Sequence, residues 1–122
     1  MRLFFAIIIA LSSAFILTGG AEFSFKEVTH RFPDTKEGVL LEHDFTFTNK
    51  GDTPLIIQGY KVACSCTKLT FPQEPIAPGA SEKLHLTFDT KGKYGYQHRK
   101  IEIESNTKKK TKIAFKVFVI NE

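Results

Sequence analysis

The sequence contains few of the residues that usually carry metal or redox chemistry. Among its 122 residues there are two cysteines, one methionine and no tryptophan. With no C-x-x-C pair and no further cysteines, it lacks the spacing of the familiar redox and zinc motifs. Sustained helical periodicity is also missing beyond the N-terminal segment. We find no complete catalytic constellation and expect a protein that is not an enzyme.

The N-terminal segment has the pattern of a secretory signal. Arg2 gives a positive start, residues 3–17 are almost wholly apolar, and small residues follow up to Ala21. The apolar run is shorter than the about 20 residues of a membrane span, and no basic stop follows it. It contains no cysteine, which excludes a lipid-anchored bacterial signal. We predict a signal peptide of residues 1–21, cleaved after Ala21; its retention as an N-terminal anchor is the alternative.

The mature chain, residues 22–122, has the length of one domain. Export predicts a periplasmic, secreted or cell-surface protein with no stable membrane span after cleavage, in a compartment where thiols tend to oxidise. The 17 Lys and Arg residues exceed the 13 Asp and Glu residues, and the excess is concentrated in 108–112. Such a run favours a solvated turn between strands. We expect no nucleic-acid partner, because an exported protein has little access to DNA.

Period-two alternation of apolar residues predicts β-strands along the mature chain. The clearest case is 39–49, where Phe45 and Phe47 share one face. Residues 30–38 and 72–79 are rich in turn-forming residues. The expected fold class is all-β, an immunoglobulin-like antiparallel β-sandwich of about seven strands. The predicted strands are 22–28, 39–49, 55–62, 68–71, 83–88, 97–104 and 112–120.

The connections between strands carry recognisable turn chemistry. Residues 49–54 form a polar turn in which Gly51 can take a positive φ. Gly59 interrupts the third predicted strand and indicates a bulge. Pro78 and Gly79 fit the central positions of a type II turn. The last strand is apolar on both faces, which predicts that it is central or covered.

Cys64 and Cys66 lie near the middle of the chain, where the third predicted strand ends. On an extended strand their Cα atoms would be roughly 6.6 Å apart, close to the upper limit of about 6.8 Å for a disulfide. A bridge therefore requires a bent backbone, and so small a loop contributes little stability. Three interpretations stay open: a structural disulfide or packed thiol pair, a soft-metal site for Cu(I) or Zn(II), and a redox-active dithiol.

Several segments follow, in order and at compatible spacing, a pattern found in one bacterial family. They are residues 45–57, 64–67 (Cys-Ser-Cys-Thr), 75–79, 86–90 and 103–106. Together they resemble DUF1573, a family of unknown function common in exported proteins of Bacteroidetes. The resemblance implies an immunoglobulin-like fold and brings no established catalytic residue. The residues associated with the motif are Asn49, Gly51, Ser65, Thr67, Pro78, Gly79 and Asn106.

The cysteine motif departs from the family pattern at one position. The family motif usually reads Cys-Gly-Cys-Thr, and Ser65 stands here in place of the glycine. If the family glycine has a positive φ, Ser65 implies a small strain or a different local turn.

Four histidines could act as ligands or bases: His30, His43, His85 and His98. His43 alternates with core-facing residues and is expected to be half-buried, whereas His85 is expected to be exposed. His98 neighbours Arg99 and Lys100, which would oppose a cation nearby. A cysteine hydrolase needs a base within hydrogen-bond reach of the sulfur, and the sequence places no histidine there. The possible carboxylate pairs are expected on solvent faces; they are Asp44 with Asp89, and Glu102 with Glu104.

Two hypotheses for the function follow. The first is an exported non-catalytic module, without a cofactor, that binds a protein or a glycan through loops or an exposed sheet edge. The second is metal handling with Cu(I) or Zn, or redox activity, at the Cys64 and Cys66 thiols. The only methionine is Met1, so the mature chain lacks a common auxiliary ligand of exported copper proteins.

Overall fold

The structure, a computed structural model, describes residues 19–121. The predicted signal segment up to residue 18 lies outside the described residues. Within 19–121 the chain forms nine β-strands, and no helix is long and apolar enough to cross a membrane. In chain order the strands are β1 (Phe23–Phe25), β2 (Thr29–Arg31), β3 (Thr35–Lys36), β4 (Leu40–Asn49), β5 (Ile57–Lys61), β6 (Thr67–Thr70), β7 (Ser81–Asp89), β8 (Gly95–Ser105) and β9 (Thr111–Ile120).

The strands form two sheets that pack face to face. The first sheet has the spatial order β1-β4-β7-β6 and is antiparallel throughout. The second has the order β2-β9-β8-β5, and β3 pairs with β9 farther along the same edge as β2. The N-terminal chain leaves the first sheet after β1 and joins the second. There, β2 and β3 run in the same direction as β9 and pair with it in parallel. The expected immunoglobulin-like β-sandwich is confirmed.

The core lies between the sheets and is built from alternating apolar side chains. Phe45 and Phe47 of β4 are almost completely buried. Phe88 of β7 contacts Phe115 of β9 across the core, with ring centroids 4.8 Å apart. Burying one such side chain contributes about 1.5–3 kcal/mol. Neither cysteine is among the buried residues, so apolar packing holds the two sheets together.

The long strands follow the sequence prediction closely. The alternation expected over 39–49 and 112–120 corresponds to β4 and β9. β9 lies between β8 and the short strands β2 and β3, which confirms the prediction that it is a central strand. The predicted bulge is also present, because the pairing of β5 with β8 shifts register between Ile57 and Gly59.

The prediction for the N-terminal part was wrong in two respects. The strand expected over 22–28 is limited to β1, and the turn region expected over 30–38 contains β2 and β3. The described chain therefore has nine strands where about seven were expected. Segments of two or three residues are too short to display a period of two. Their strand conformation depends on pairing with β9, which is remote in sequence.

The residues just before β1 pack against the domain. Ala21 is buried, and the N–H of Gly20 donates to Asp52 Oδ1 at 2.7 Å. The N–H of Asp52 donates in return to the carbonyl of Gly20 at 3.1 Å. Cleavage after Ala21 remains a prediction, and it would remove these contacts from the mature protein.

Candidate functional site

Asn49 is a fully buried hydrogen-bonding centre at the end of β4. Its Oδ1 accepts from the N–H groups of Glu22 (3.2 Å) and Gly51 (3.0 Å). Its Nδ2 donates to the carbonyls of Thr53 (2.9 Å) and Ile76 (3.0 Å). A buried amide is tolerated only when its polar atoms are paired, and this one joins three segments that are separate in sequence. Its role is structural.

The predicted turn at Pro78 and Gly79 is bonded to the backbone of the same asparagine. The N–H of Gly79 donates to the Asn49 carbonyl at 2.7 Å, and the N–H of Asn49 donates to the Ala80 carbonyl at 2.9 Å. Gly79 has φ 82°, and the N–H of Ala80 donates to the Ala77 carbonyl at 3.0 Å. This is the geometry of a type II turn, in which glycine supplies the positive φ.

Gly51 and Asn106 complete this cluster, which we call the Asn49 end. Gly51 does not use the positive φ that the turn was expected to require; instead, a Cβ atom at this position would collide with the carbonyl oxygen of Gly20. Asn106 Oδ1 accepts from the N–H of Ile56 at 2.9 Å, and Nδ2 donates to the carbonyl of Pro54 at 2.9 Å. The structure therefore brings five of the seven motif residues together as a hydrogen-bonded frame with no reactive group.

Cys64 and Cys66 lie at the opposite end of the sandwich and are joined by a disulfide. Their Cα atoms are 5.2 Å apart, less than on an extended strand. The contraction comes from a turn, in which the N–H of Thr67 donates to the Cys64 carbonyl at 3.2 Å. In this form the two sulfurs are bonded to each other. A soft-metal site at the turn would therefore require prior reduction to two thiols.

Ser65 fits this turn without strain. No residue other than glycine has a positive φ within residues 19–121, so Ser65 takes an ordinary backbone conformation. Thr67 is buried at the start of β6, opposite Phe88. The carbonyl of Cys66 accepts from the N–H of Asp89 at 2.9 Å, which attaches the turn to the end of β7. We call this region, which also includes the start of β8, the cysteine end.

The turn at the cysteines also determines where β5 stops. β5 pairs with β8 up to Lys61, which lies opposite Glu102. Beyond Lys61 the chain crosses to the first sheet through Val62–Cys66 and enters β6. Within the described chain, no strand pairs with the outer side of β8 over the segment 95–101. We call this segment the open edge.

The hydrogen bonds of β9 show which backbone groups face the open edge. The N–H of Ala114 donates to Val28, and the Lys116 carbonyl accepts from Phe32, so both residues direct their polar groups away from β8. Residues that face each other in an antiparallel pair either bond to each other or both point away. The partners of Ala114, Lys116 and Phe118 must therefore direct their N–H and C=O groups outward; these partners are Lys100, His98 and Tyr96.

The side chains at the open edge are aromatic on one face and polar on the other. Tyr96 is 57% exposed and lies opposite Phe118, which is 45% exposed; Tyr94, at 53%, precedes them. On the inner face, this part of β8 carries the half-buried polar residues Gln97 and Arg99, whereas the later part of the strand carries the buried Ile101 and Ile103. The Arg99 guanidinium donates to Gln97 Oε1 at 2.7 Å and lies over the Phe88 ring, 5.7 Å from its centroid.

The charges beside the open edge are mainly positive. Lys61 ends the neighbouring strand, Lys100 lies on the edge, and Lys93 precedes β8. Glu102 marks the far limit of the open segment. No sequence pattern predicted this region, although Tyr94 and Tyr96 beside Gly95 are a local signal of exposed aromatic residues.

The histidines divide into three locations. His98 is exposed on the open edge, and His43 is half-buried beside His30, as predicted for His43. His85 lies on the outer face of the first sheet, where Nδ1 is 2.6 Å from Asp44 Oδ1 and Nε2 is 3.3 Å from Glu42 Oε1. The hydrogen bonds to Asp44 and Glu42 raise the pKa of His85, and the bond to His85 lowers the pKa of Asp44.

The two proposed carboxylate pairs do not form a catalytic arrangement. Asp44 lies opposite His85 near the middle of β4, whereas Asp89 lies opposite Leu40 at the end of the sheet. Glu104 is exposed and Glu102 is half-buried, both on the outer face of β8. No described histidine contacts the cysteine turn.

One family model matches most of the described chain. The model of DUF1573, described as a protein of unknown function, matches residues 23–119. The chain belongs to the DUF1573 family. No curated protein matches the sequence.

Solved structures with the same fold are distant in sequence. A protein of unknown function from Porphyromonas gingivalis W83 has a TM-score of 0.72 and 15% identity, covering 86% of this chain and 50% of that one. The PapD-like domain 7 of human CEP192 gives 0.63 and 13%, covering 82% and 86%. The YadV chaperone gives 0.59 and 14%, covering 81% and 52%. The chain thus spans about half the length of two of them, and the likeness establishes the fold.

Proposed function

We propose that this DUF1573 domain is an exported, non-catalytic module of the periplasm or cell surface. It binds a protein partner by accepting an extended segment of that partner along the open edge of β8. The observation that carries the proposal is the outward direction of the backbone groups of Tyr96, His98 and Lys100. An extended segment can pair with such groups as an additional strand.

The open edge has the dimensions for a short recognition segment. From Tyr96 to Lys100 the strand rises about 13 Å, which matches a partner segment of about five residues. Three residues supply three N–H and three C=O groups, enough for a short antiparallel or parallel ladder. The main-chain bonds would provide affinity, and neighbouring side chains would determine which segment is accepted.

The side chains define the chemistry of the preferred partner segment. Tyr96 and Phe118 offer an apolar surface on the outer face, and Lys61 and Lys100 offer positive charge at the other limit of the edge. We therefore expect an extended segment with an aromatic or aliphatic residue at one end and a carboxylate at the other. The likeness to a chaperone of this fold supports a protein partner.

The charged residues at the open edge could have a different role, which is to prevent pairing with another chain. Charged side chains on an edge strand can prevent pairing with another chain, and then no partner would occupy the edge. The two roles are distinguished by what happens to individual backbone amides when a partner is present.

Hydrogen exchange followed by NMR tests the proposal residue by residue. In the free protein the amides of Tyr96, His98 and Lys100 should exchange fast, while those of Gln97, Arg99 and Ile101, which bond to β9, should exchange slowly. A photo-cross-linking residue at Tyr96, with the same residue at Thr46 on the opposite sheet as control, would identify the partner in the producing cell. A peptide of the cross-linked segment should then slow the three fast amides and remove the alternation.

Two outcomes would contradict the proposal. If the bound partner shifts only the resonances of Tyr94, Tyr96 and Phe118 and the alternation persists, the ligand stacks on the aromatic face, as a glycan would. If cross-linking at Tyr96 yields no more adduct than cross-linking at Thr46, the edge is not an interaction site.

A further inference from the structure

Glu27, His30 and His43 form a cluster that the proposed function does not use. Glu27 lies in the connection between β1 and β2, His30 is the central residue of β2, and His43 belongs to β4. Glu27 Oε1 is 2.8 Å from His30 Nδ1 and 2.7 Å from His43 Nε2. One carboxylate oxygen therefore lies between two imidazole nitrogens that come from different sheets.

The two imidazoles are held by aromatic neighbours. Their rings stack with centroids 3.5 Å apart and an interplanar angle of 10°. The Phe32 ring is nearly perpendicular to that of His30, with centroids 4.7 Å apart, and the Phe45 ring is nearly perpendicular to that of His43, with centroids 4.9 Å apart. The side chains of His30 and His43 are 25% and 22% exposed, against 45% for Glu27. The cluster is thus partly enclosed, with the carboxylate on its solvent side.

The hydrogen bonding of the cluster is incomplete. Glu27 forms a well-directed bond with His30 Nδ1. The distance to His43 Nε2 is equally short, yet the contact is misdirected, and this buried nitrogen has no hydrogen-bond partner within the described chain. Leaving a buried polar atom unpaired is unfavourable, because the atom has lost its hydrogen bonds to water. A ligand that accepts the nitrogen lone pair would remove this cost.

We propose that Glu27, His30 and His43 bind a divalent transition-metal ion of the Zn²⁺ type. The three ligand atoms lie within 4.8 Å of one another. Two neutral imidazole nitrogens and one carboxylate oxygen are a donor set that Zn²⁺ accepts, at about 2.0–2.2 Å from each ligand. A fourth position would remain open to solvent, since the carboxylate lies on the exposed side of the cluster.

Binding requires a small rearrangement. A ring nitrogen directs its lone pair within the ring plane, so two parallel stacked rings do not direct their lone pairs at one point. His30 and His43 must therefore open into a V, and Glu27 must withdraw to admit the ion. β2 has only three residues and lies at the edge of its sheet, which leaves His30 free to tilt. The bound ion would connect β2 of the second sheet, through His30, to β4 of the first sheet, through His43.

The His85 cluster provides a matched control. His85 also contacts two carboxylates, Asp44 and Glu42, but each uses a different nitrogen of the ring. Its contacts therefore do not converge on one point where an ion could sit. If histidine and carboxylate side chains bound metal without a specific geometry, both clusters would bind it. If the geometry of Glu27, His30 and His43 is required, only that cluster would bind it.

Titration calorimetry with Zn²⁺ alone tests the site on the disulfide-intact protein purified from the exported fraction. We expect one ion per chain and a raised Tm. Outer-shell changes usually weaken metal binding about 10–100-fold, so losing a ligand should weaken it at least about 100-fold. His30→Asn and Glu27→Gln should show this loss, and His85→Asn should not. Glu27→Gln alters an exposed side chain, so it keeps the test valid if a histidine variant misfolds.

NMR of the imidazole nitrogens identifies the ligands directly. Zn²⁺ should shift Nδ1 of His30 and Nε2 of His43 and leave His85 and His98 unchanged. Three results would overturn the proposal: no stoichiometric binding, binding that survives both Glu27→Gln and His30→Asn, or binding that appears only after reduction of the disulfide. The last result would place the metal at the cysteine thiols.

Discussion

Replacing Asn49 with alanine tests whether the Asn49 end is the structural frame that its hydrogen bonds indicate. The substitution removes four side-chain hydrogen bonds, two to N–H groups and two to carbonyls. The carbonyl of Ile76 keeps a second bond, from the N–H of Leu55 at 2.8 Å. Three groups, on Glu22, Gly51 and Thr53, therefore lose the partner that Asn49 supplied.

The expected loss follows from these three groups. At about 1 kcal/mol for each lost hydrogen bond, and with a small cavity at a fully buried site, Asn49→Ala should cost about 3–4 kcal/mol. Domains of this size have a total stability of about 5–15 kcal/mol, so the variant should fold with a clearly reduced margin. One kcal/mol corresponds to about 4–8 °C in Tm for such a domain, which gives a decrease of about 12–30 °C.

Asn106→Ala is the matched control for this measurement. Asn106 makes two side-chain hydrogen bonds, but it is exposed, and its partners can bond to water instead. Its loss should cost about 0.5–1 kcal/mol. Urea unfolding followed by circular dichroism gives both values. If Asn49→Ala costs no more than Asn106→Ala, burial does not determine the effect and the structural account of the motif is wrong.

Two further predictions concern the cysteines and His85. Cys64→Ser with Cys66→Ser should fold and lose at most about 1.6 kcal/mol, the loop-entropy value for a three-residue ring; an unfolded double variant by circular dichroism would show that the bridge is essential. The pKa of His85 is raised above its ordinary value of 6.5, so its stabilising contribution is complete below 6.5 and is lost as pH rises through the raised pKa. The pKa of Asp44 is lowered from 3.8, so the pair contributes fully only above 3.8. In urea unfolding, His85→Asn should lose up to about 1 kcal/mol at pH 5.5 and less at pH 8.5; equal losses of His85→Asn at both pH values would refute the assignment.

The sequence predicts those parts of the fold that depend on local pattern. The alternation through Phe45 and Phe47 predicts β4, and Pro78 with Gly79 predicts a turn type that its φ and hydrogen bond confirm. The half-buried state of His43 also follows from alternation. These features need only the period of a strand or the φ preference of a residue. They can be read without knowing which strands are neighbours.

Features that depend on pairing between distant segments are not visible in the sequence. β2 and β3 exist because β9 accepts them, and their few residues show no period of their own. His30 and His43 meet only because the N-terminal chain changes sheets after β1. The cysteine motif predicts where β5 ends, but only the register of β5 against β8 shows how much of β8 remains unpaired beyond Lys61.

Five of the seven motif residues lie at the Asn49 end of the sandwich, away from the open edge where we propose that a partner binds. At the Asn49 end, the polar atoms of Asn49, Gly79 and Asn106 are used within the domain. At the cysteine end, backbone groups of β8 face outward beside exposed aromatic side chains. Substitutions at the first end should change stability and leave partner binding intact in the folded fraction, and edge substitutions should do the reverse. The motif residues at the Asn49 end therefore act through stability, and the binding that we propose at the open edge can be tested separately from it.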